Sequence, residues 1–242
     1  MEAIILAGGK GTRLGAAAQG LPKALIPLGG RPIAAYQLGM LARGGVTRVI
    51  ISCAAGAGEL FKKALDEAEI EVDLAEEPEP LGRGGGIRFA TKLRRENGEI
   101  FVTNSDELLA PDLEAMLHEH RRLGAAATLL VAPLKSAVGI VEVAEDERIT
   151  SFREAPVLPH WVSAGVYVLG EEAIDALPTD GDHETTTFPA LAASGRLRAY
   201  RYEGVWLTVN TPKDLRRAED EIARNPGWLQ DAGAAQAGRP PL

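Results

Sequence analysis

Residues 6–23, which read LAGGKGTRLGAAAQGLPK, decide the fold of this chain. A short apolar run at residues 3–6 precedes the glycines and is typical of a buried strand. Gly8, Gly9 and Gly11 follow closely, so neither a strand nor a helix is expected to continue through them. Because a glycine-rich loop lets backbone N–H groups approach a ligand, this segment predicts an anion site at the end of the first strand.

Basic side chains in the same segment favour a phosphate ligand. Lys10, Arg13 and Lys23 add positive charge around the loop. The Walker phosphate loop is excluded, since residues 9–12 read GKGT and lack the required Gly-Lys-Ser/Thr order. The dinucleotide fingerprint is excluded because Leu14 stands where it needs a glycine. The alternative is a glycine-rich surface turn with scattered cations, which the preceding strand disfavours.

The composition indicates a globular protein without a nucleic-acid or membrane partner. A length of 242 residues suffices for one large domain with a sizeable core. The net charge of −8 argues against binding to nucleic acid or to an anionic membrane. The single cysteine, Cys53, lies in an apolar run and fits a reducing compartment. No run resembles a signal peptide or a membrane span, so we predict a cytoplasmic protein.

Strands and helices alternate along the first half of the chain. We predict a helix at residues 32–43, a strand at 46–53, a helix at 59–68 and a strand at 71–75. This order predicts an α/β fold with a largely parallel sheet. Further strands are expected at residues 99–104, 128–134, 138–143, 148–153, 196–202 and 204–207.

Two later segments carry local signals. Residues 76–86, EEPEPLGRGGG, predict a loop that ends in glycines and opens a helix at Ile87. Residues 211–214 predict a capping box for a last helix, with Leu215, Ala218 and Ile222 as its buried stripe.

Asp106 follows the strand predicted at residues 99–104. Ligands gather at the carboxyl ends of strands in α/β sheets, so this acid is a candidate ligand-binding residue. An aspartate that only caps a helix is the alternative. Pro111 is predicted to start the next helix, which leaves Asp106 too far upstream to cap it.

The amino-terminal segment resembles the signature of the sugar-1-phosphate nucleotidyltransferases, also called sugar-nucleotide pyrophosphorylases. Their pattern L-A-G-G-x-G-T-R-L, then P-K-x-L-x-P-x-x-x-x-P, is matched at residues 6–14 and at Pro22, Lys23, Leu25, Pro27 and Pro32. The resemblance covers about residues 1–220. It implies a three-layer Rossmann-like fold, or glycosyltransferase-A-like fold, with a mixed, mostly parallel sheet flanked by helices.

The resemblance also implies a domain organisation. Residues 1–224 would form a single nucleotidyltransferase domain, with a nucleotide-binding half at about 1–110 and a sugar-binding half at about 111–224. Residues 225–242 are rich in alanine, glycine and proline, and we expect a loosely ordered tail in which Trp228 and Leu229 are the main groups to bury.

The implied reaction joins a sugar 1-phosphate to a nucleoside triphosphate and releases pyrophosphate, with Mg²⁺ as cofactor. By resemblance, Arg13 holds the β- and γ-phosphates, Lys23 the α-phosphate and the sugar phosphate, and Asp106 the Mg²⁺. The positions implied to bind the nucleotide are Leu6, Ala7, Gly8, Gly9, Gly11, Thr12, Glu77, Pro80 and Gly82.

Glu77 bears on the identity of the base. It falls on the position that contacts the base edge in the resembled family. A carboxylate accepts from adjacent N–H and amino donors, which guanine offers and uracil or thymine does not. The residue therefore favours GTP, and with it mannose 1-phosphate, as in mannose-1-phosphate guanylyltransferases. A solvated acidic loop is the alternative.

The second half matches the family's sugar-binding segments with departures. Positions implied to bind the sugar are Asn104, Glu154, Ser163, Gly165 and Glu184. Ala155 stands where a phosphate-binding lysine is usual, and Arg83 where threonine is usual. Residues 206–212, WLTVNTP, correspond to W-x-D-I-G-T-P, so Thr208 replaces the second metal aspartate.

These departures leave three interpretations open. The first is an active enzyme in which a neighbouring acid or the substrate phosphates replace the missing groups. The second is a binding module for nucleotides or sugar phosphates with little turnover. The third is a cytidylyltransferase for a non-sugar phosphate, such as a polyol or choline phosphate. Relatives often assemble, so a homo-oligomer is one expected state.

Overall fold

The computed structural model describes residues 1–9, 11–18, 20–66 and 68–229. The predictions for Lys10 and for residues 230–242 of the expected tail lie outside these described residues.

Thirteen strands form in the described part of the chain. They are β1 Glu2–Leu6, β2 Pro27–Leu28, β3 Arg31–Pro32, β4 Arg48–Ala54, β5 Glu71–Glu77, β6 Ile100–Asn104, β7 Glu107–Leu108, β8 Ala127–Lys135, β9 Ile140–Val143, β10 Ile149–Arg153, β11 Val157–Leu169, β12 Leu197–Arg201 and β13 Leu207–Thr208.

Seven α-helices also form in the described part of the chain. They are α1 Ile33–Arg43, α2 Gly58–Ala64, α3 Gly82–Ala90, α4 Leu113–Arg122, α5 Glu171–Asp175, α6 Thr187–Ala193 and α7 Pro212–Arg224. Short 3₁₀ helices occur at Thr12–Ala18, Lys23–Leu25 and Thr91–Leu93. Within the described residues, no helix has the length and apolar character needed to cross a membrane.

The central sheet contains seven of the described strands, in the order β12-β8-β11-β6-β1-β4-β5. Strand β1 is parallel to both of its neighbours, while β11 runs antiparallel to β6 and to β8. The predicted α/β fold with a mixed, mostly parallel sheet is therefore confirmed. The carboxyl ends of β1 and β6 meet at one edge, because Leu6 pairs with Asn104.

Strands β1, β4 and β6 are buried on both faces of this sheet, which explains why they read as largely continuous apolar runs. Neighbouring side chains point to opposite faces, so Ile5 and Phe101 pack with α1, α2 and α4, whereas Ile4 and Val102 pack with α3, α5 and α6. This arrangement gives the three layers that the sequence resemblance implied.

A third apolar cluster lies under the first loop. Ala218 of α7 is fully buried in it, with Leu215 and Ile222 partly buried beside it, as the predicted stripe required. Trp228 and Leu229 are also buried there, so this part of the expected tail packs on the domain.

The prediction of a loop at residues 76–86 is correct only for residues 78–81, because β5 extends to Glu77 and the second half is helical. Helix α3 begins at Gly82, so the three glycines expected to end the loop lie inside the helix. A Cβ at Gly85 would lie 2.7 Å from the Thr179 carbonyl oxygen, and one at Gly84 would lie 2.8 Å from the His183 amide nitrogen. Close packing, which a single sequence does not display, overrides the low helix propensity of glycine here.

Other boundaries differ by smaller amounts. Helix α2 ends at Ala64, before the predicted residue 68, and the strand predicted at 204–207 is reduced to Leu207–Thr208. Helix α4 begins at Leu113 with Asp112 as its cap, because the Asp112 carboxylate accepts from the Ala115 amide. The conclusion that Asp106 does not cap this helix is therefore confirmed.

Candidate active site

The glycine loop leaves the carboxyl end of β1 and exposes backbone to solvent. The Ala7 amide donates to the Ser52 carbonyl at 2.7 Å, which ties the loop to β4. Gly8 and Gly9 are exposed, and their amides find no acceptor among the described residues. Gly11 adopts φ +61°, a region that favours glycine, and Thr12 then opens a 3₁₀ helix. The loop therefore offers N–H donors at the edge where a ligand can enter.

Three charged residues singled out in the sequence meet beside this loop. Lys23 Nζ donates to Asp106 Oδ2 at 2.5 Å and to Asn210 Oδ1 at 2.7 Å. Arg13 Nη2 donates to the same Asn210 oxygen at 3.1 Å. Two cations and one acid, with a formal net charge of +1, thus lie together although they come from distant parts of the sequence.

Backbone contacts fix the acid and Asn210 relative to each other. Strand β13 pairs antiparallel with β7, so that Thr208 lies opposite Glu107. The Val209 amide donates to the Asp106 carbonyl at 2.9 Å. Asn210 follows directly, and its side-chain amide donates to the Thr208 hydroxyl.

Glu107 is a second acid beside Asp106 that the sequence analysis did not assign. Its side chain is buried, and Trp206 Nε1 donates to its Oε2 at 2.6 Å. Burial, together with the neighbouring Asp106 carboxylate, raises the pKa of Glu107 to about 8. Glu107 is therefore mainly a neutral carboxylic acid near pH 7.

The side chains around Asp106 suit Mg²⁺ in their chemistry. Asp106 and Glu107 are carboxyl groups, Thr208 is a hydroxyl and Asn210 presents an amide oxygen, all of them hard oxygen donors. Asp106 Oδ1 carries no hydrogen bond from the described residues, so one carboxylate oxygen is open. Within the described residues, no group of three or more His, Cys, Asp or Glu could enclose a metal by itself. Any Mg²⁺ here therefore has to take ligands from substrate and water.

The predicted base-contacting residue Glu77 lies at the end of β5, next to the glycine loop. Ser52 Oγ donates to its Oε1 at 2.7 Å, and the Leu81 amide donates to its Oε2 at 3.1 Å. A Cβ built on Gly8 would lie 3.5 Å from Glu77 Oε1. The carboxylate is buried, so the solvated-loop alternative is wrong. Each oxygen keeps a second lone pair for another donor. Pro80 and Gly82 follow in the exposed turn that leads into α3.

Four of the five predicted sugar-binding residues line one cavity of about 560 Å³. They are Asn104, Ser163, Gly165 and Glu184. The side-chain oxygen of Asn104 is buried without a hydrogen-bond partner among the described residues, so it is free to accept from a ligand. Glu154 is not brought into this lining. Its side chain is exposed, and a Cβ at Gly139 would lie 3.0 Å from its Oε2.

The cavity wall also contains Arg83 and Glu107, whose roles the sequence analysis left unassigned. Arg83 Nη2 lies 2.7 Å from Glu184 Oε2, and its Nε donates to Asp182 Oδ2 at 2.9 Å. The cavity lining thus combines polar and charged groups, which can hydrogen bond to a polyhydroxy ligand, with the apolar residues Leu129, Phe188, Pro189, Ala192 and Leu197. Two features of the sequence could have indicated these residues: Arg83 replaces a usual threonine, and Glu107 directly follows Asp106. No feature of the nearby sequence indicated Asn210.

The glycine loop, the two cations and the acid thus meet at the carboxyl edge of a Rossmann-like sheet. The chain matches the nucleotidyl transferase family over residues 2–225, and it belongs to that family.

Relatives identified by sequence include two named for the same activity. The chain is 32% identical over 228 residues to a mannose-1-phosphate guanyltransferase from Aspergillus fumigatus, covering 89% of this chain and 62% of that protein. It is 33% identical over 241 residues to a mannose-1-phosphate guanylyltransferase from Mycobacterium tuberculosis, covering 93% and 65% respectively. The chain thus spans less than two thirds of the length of these relatives.

Solved structures share the fold at lower identity. HddC from Yersinia pseudotuberculosis superposes with a TM-score of 0.71 at 23% identity, covering 91% of this chain and 99% of that chain. A putative glucose-1-phosphate thymidylyltransferase from Bacillus anthracis gives 0.73 at 18% identity, covering 93% and 96%. These similarities confirm the Rossmann-like fold.

Proposed function

We propose that this chain is a sugar-1-phosphate nucleotidyltransferase, which joins a sugar 1-phosphate to a nucleoside triphosphate and releases pyrophosphate. The observation that carries the proposal is the meeting of Arg13, Lys23 and Asp106 beside the exposed amides of the glycine loop. Names of relatives and family membership support it. Residues 1–110 would then hold the nucleotide, and residues 111–224 would supply most of the sugar site.

The reaction needs no covalent intermediate, because an oxygen of the sugar phosphate is itself the nucleophile. That oxygen attacks the α-phosphorus, a new P–O bond forms, and the bond to the pyrophosphate leaving group breaks. Catalysis then consists of positioning and of offsetting crowded negative charge. We assign Arg13 to the β- and γ-phosphates and Lys23 to the α-phosphate and the sugar phosphate. The Gly8 and Gly9 amides are the further donors.

Asp106 is the proposed Mg²⁺ ligand. Asn210, which contacts the same lysine, and Thr208, which hydrogen bonds to Asn210, carry neutral oxygens in the same group of side chains. When bound, Mg²⁺ would offset negative charge on the phosphate oxygens of both substrates. Lys23 pairs with the Asp106 carboxylate. The lysine therefore keeps the acid oriented and is itself held close to where phosphate has to bind.

GTP and mannose 1-phosphate are the proposed substrates. The buried carboxylate of Glu77 beside Gly8 supports guanine, and the names of the sequence relatives point to the same pair. Asn104, Ser163 and Glu184 are the proposed contacts for sugar hydroxyls.

A binding module with little turnover is the second candidate. The observations that favour it are Thr208 in place of an acid and Ala155 in place of a lysine. Each departure removes a charge that the resembled pattern places on the metal or on the sugar phosphate. The cytidylyltransferase alternative is less favoured, because three of the four residues predicted for sugar binding in the second half, Ser163, Gly165 and Glu184, line the cavity.

The test is pyrophosphate release with Mg²⁺ across four nucleoside triphosphates and several hexose 1-phosphates. We expect turnover with GTP and mannose 1-phosphate above the other pairs. Asp106→Asn should lower kcat by roughly a hundredfold or more, as expected for losing one charged group at a reacting phosphate. Asp220→Asn, on the exposed side of α7, is the matched control and should retain full activity. If no pair turns over while GTP still raises the melting temperature, the chain is a binding module.

A further inference from the structure

The side chain of Asn210 connects both cations of the first loop to the carboxyl-terminal half of the chain. Its Oδ1 accepts from Lys23 Nζ at 2.7 Å and from Arg13 Nη2 at 3.1 Å. Its Nδ2 donates to the Thr208 hydroxyl, and its backbone N–H donates to Asp214 Oδ2 at 3.1 Å. Asn210 therefore has both its side chain and its backbone anchored.

The anchor itself is rigid. The Asp214 carboxylate also accepts from the Thr211 amide at 2.8 Å, which closes the capping box of α7. A capping box fixes the residue that precedes a helix relative to the helix axis. The oxygen that Arg13 and Lys23 share is thus set by the amino-terminal end of α7.

A neutral oxygen is well suited to this position. Two cations that meet at one point repel each other, and a shared acceptor offsets that repulsion. A carboxylate would do the same but would subtract one unit of positive charge from the site. The amide keeps the +1 formed by Arg13, Lys23 and Asp106, which is the charge that a polyphosphate needs.

The sequence shows a matching exchange. The resembled pattern has an acid at the position of Thr208 and a glycine at the position of Asn210, whereas this chain has a hydroxyl and an amide. The side-chain oxygen that contacts the cations therefore comes from position 210 in this chain, two residues after the position of the acid in the resembled pattern. Because the two side chains hydrogen bond to each other, the changes belong to one unit.

We propose that Asn210 is the positioning residue that sets Arg13 and Lys23 for the triphosphate, and that it does so in place of an acid at position 208. The inference rests on the proposed function, since it specifies how the triphosphate subsite of that enzyme is organised. Asn210 acts through the two cations.

The first test measures GTP binding in EDTA by calorimetry, so that neither Mg²⁺ nor turnover contributes. Asn210→Gly should raise the Kd for GTP roughly ten- to a hundredfold, the size expected when charged hydrogen bonds lose their shared acceptor. Asn210→Asp keeps the shape and should hold both cations, yet it should also weaken binding because it lowers the positive charge of the site. Asp220→Asn is again the matched control.

The second test examines the exchange with residue 208. Thr208→Asp alone should weaken metal-free GTP binding, because it adds negative charge beside Asn210. The Thr208→Asp, Asn210→Gly double variant restores the resembled pattern. With Mg²⁺ and mannose 1-phosphate it should recover at least part of the turnover that Asn210→Gly alone loses. A purely structural role for Asn210 predicts no such recovery.

The outcomes separate this inference from the proposed function. If wild-type protein binds no triphosphate, the proposed function fails. If wild type binds GTP and both Asn210 variants bind it equally well, the positioning role of Asn210 is overturned. If binding weakens but the double variant recovers nothing, the exchange with position 208 is overturned. Should Asn210→Gly fail to fold, Asn210→Ala, which removes the shared acceptor without adding charge, decides the positioning role.

Discussion

At the scale of single residues, Glu77 is the side chain on which the proposed preference for guanine depends. Its carboxylate is buried and accepts hydrogen bonds from Ser52 and from the Leu81 amide. We expect Glu77→Gln to lower the preference for GTP over other triphosphates, because an amide carries donors where guanine needs acceptors. The ratio of kcat/KM values for GTP and UTP measures this effect.

The same substitution should also destabilise the fold by about 1–3 kcal/mol, since one buried donor loses its acceptor. Ser52→Ala removes one of the two internal donors to Glu77 but leaves its carboxylate in place, so it is the matched control. We expect it to lower the free energy of unfolding without changing the preference for GTP. An unchanged base preference in Glu77→Gln would contradict the assignment of this residue to the base.

The principal charged residues of the site were predictable, because each lies in a segment whose pattern is visible in one sequence. Arg13 and Lys23 flank a glycine loop, and Asp106 follows an apolar strand. The contact of Asn210 with Arg13 was not predictable, since 197 positions separate the two residues and one sequence carries no information on such pairs. Glu154 shows the opposite case, because its segment matches the resembled pattern and yet the residue does not line the cavity.

At the scale of elements, helix α3 shows packing overriding intrinsic propensity. Its first turns contain glycines that pack against the segment before α6, where a Cβ at Gly85 would lie 2.7 Å from the Thr179 carbonyl oxygen. Gly85→Ala should therefore lower the free energy of unfolding, although alanine favours an unhindered helix by about 1 kcal/mol. Chemical denaturation measures the change.

Gly39 in α1 provides the matched comparison. A Cβ there would meet only the far end of the Arg43 side chain, at 3.3 Å. Gly39→Ala should stabilise the protein by up to about 1 kcal/mol. If both variants raised the free energy of unfolding, helix propensity rather than close packing would govern the stability of α3.

The comparison of predicted and observed elements follows the same physics. Strands such as β1 and β4 were predictable because a strand buried on both faces must be apolar throughout. The start of α7 was predictable because its capping box is a local pattern. The start of α3 was not predictable, because its glycines pack against residues almost a hundred positions away in the sequence.

At the scale of the whole molecule, His183 links stability to pH. Its ring is fully buried against Phe188 and Tyr167, and neither ring nitrogen has a hydrogen-bond partner among the described residues. Burial lowers the pKa of His183 from 6.5 to about 4, and the nearby Asp182 only partly opposes this effect. His183 therefore takes up a proton near pH 6.5 in the unfolded chain but only near pH 4 in the folded protein.

The free energy of unfolding should consequently fall between pH 6.5 and pH 4, by an amount of the order of 3 kcal/mol from this residue. His183→Leu, which cannot titrate, should show a smaller loss between pH 7.5 and pH 5 in urea denaturation. His118→Gln changes an exposed ring and should retain the wild-type loss. Equal losses in wild type and His183→Leu would contradict this account.

The pairing of β13 with β7 has a consequence for the synthesis of the chain, because it brings together two segments that are distant in the sequence. Strands β1, β4, β5 and β6 leave the ribosome before the segment that contains Asn210, the residue whose oxygen Arg13 and Lys23 share. If Asn210 positions the two cations as proposed, a nascent chain would bury part of its sheet before its triphosphate subsite is ordered. Competence to bind nucleotide would then depend on the docking of the returning segment beside Asp106.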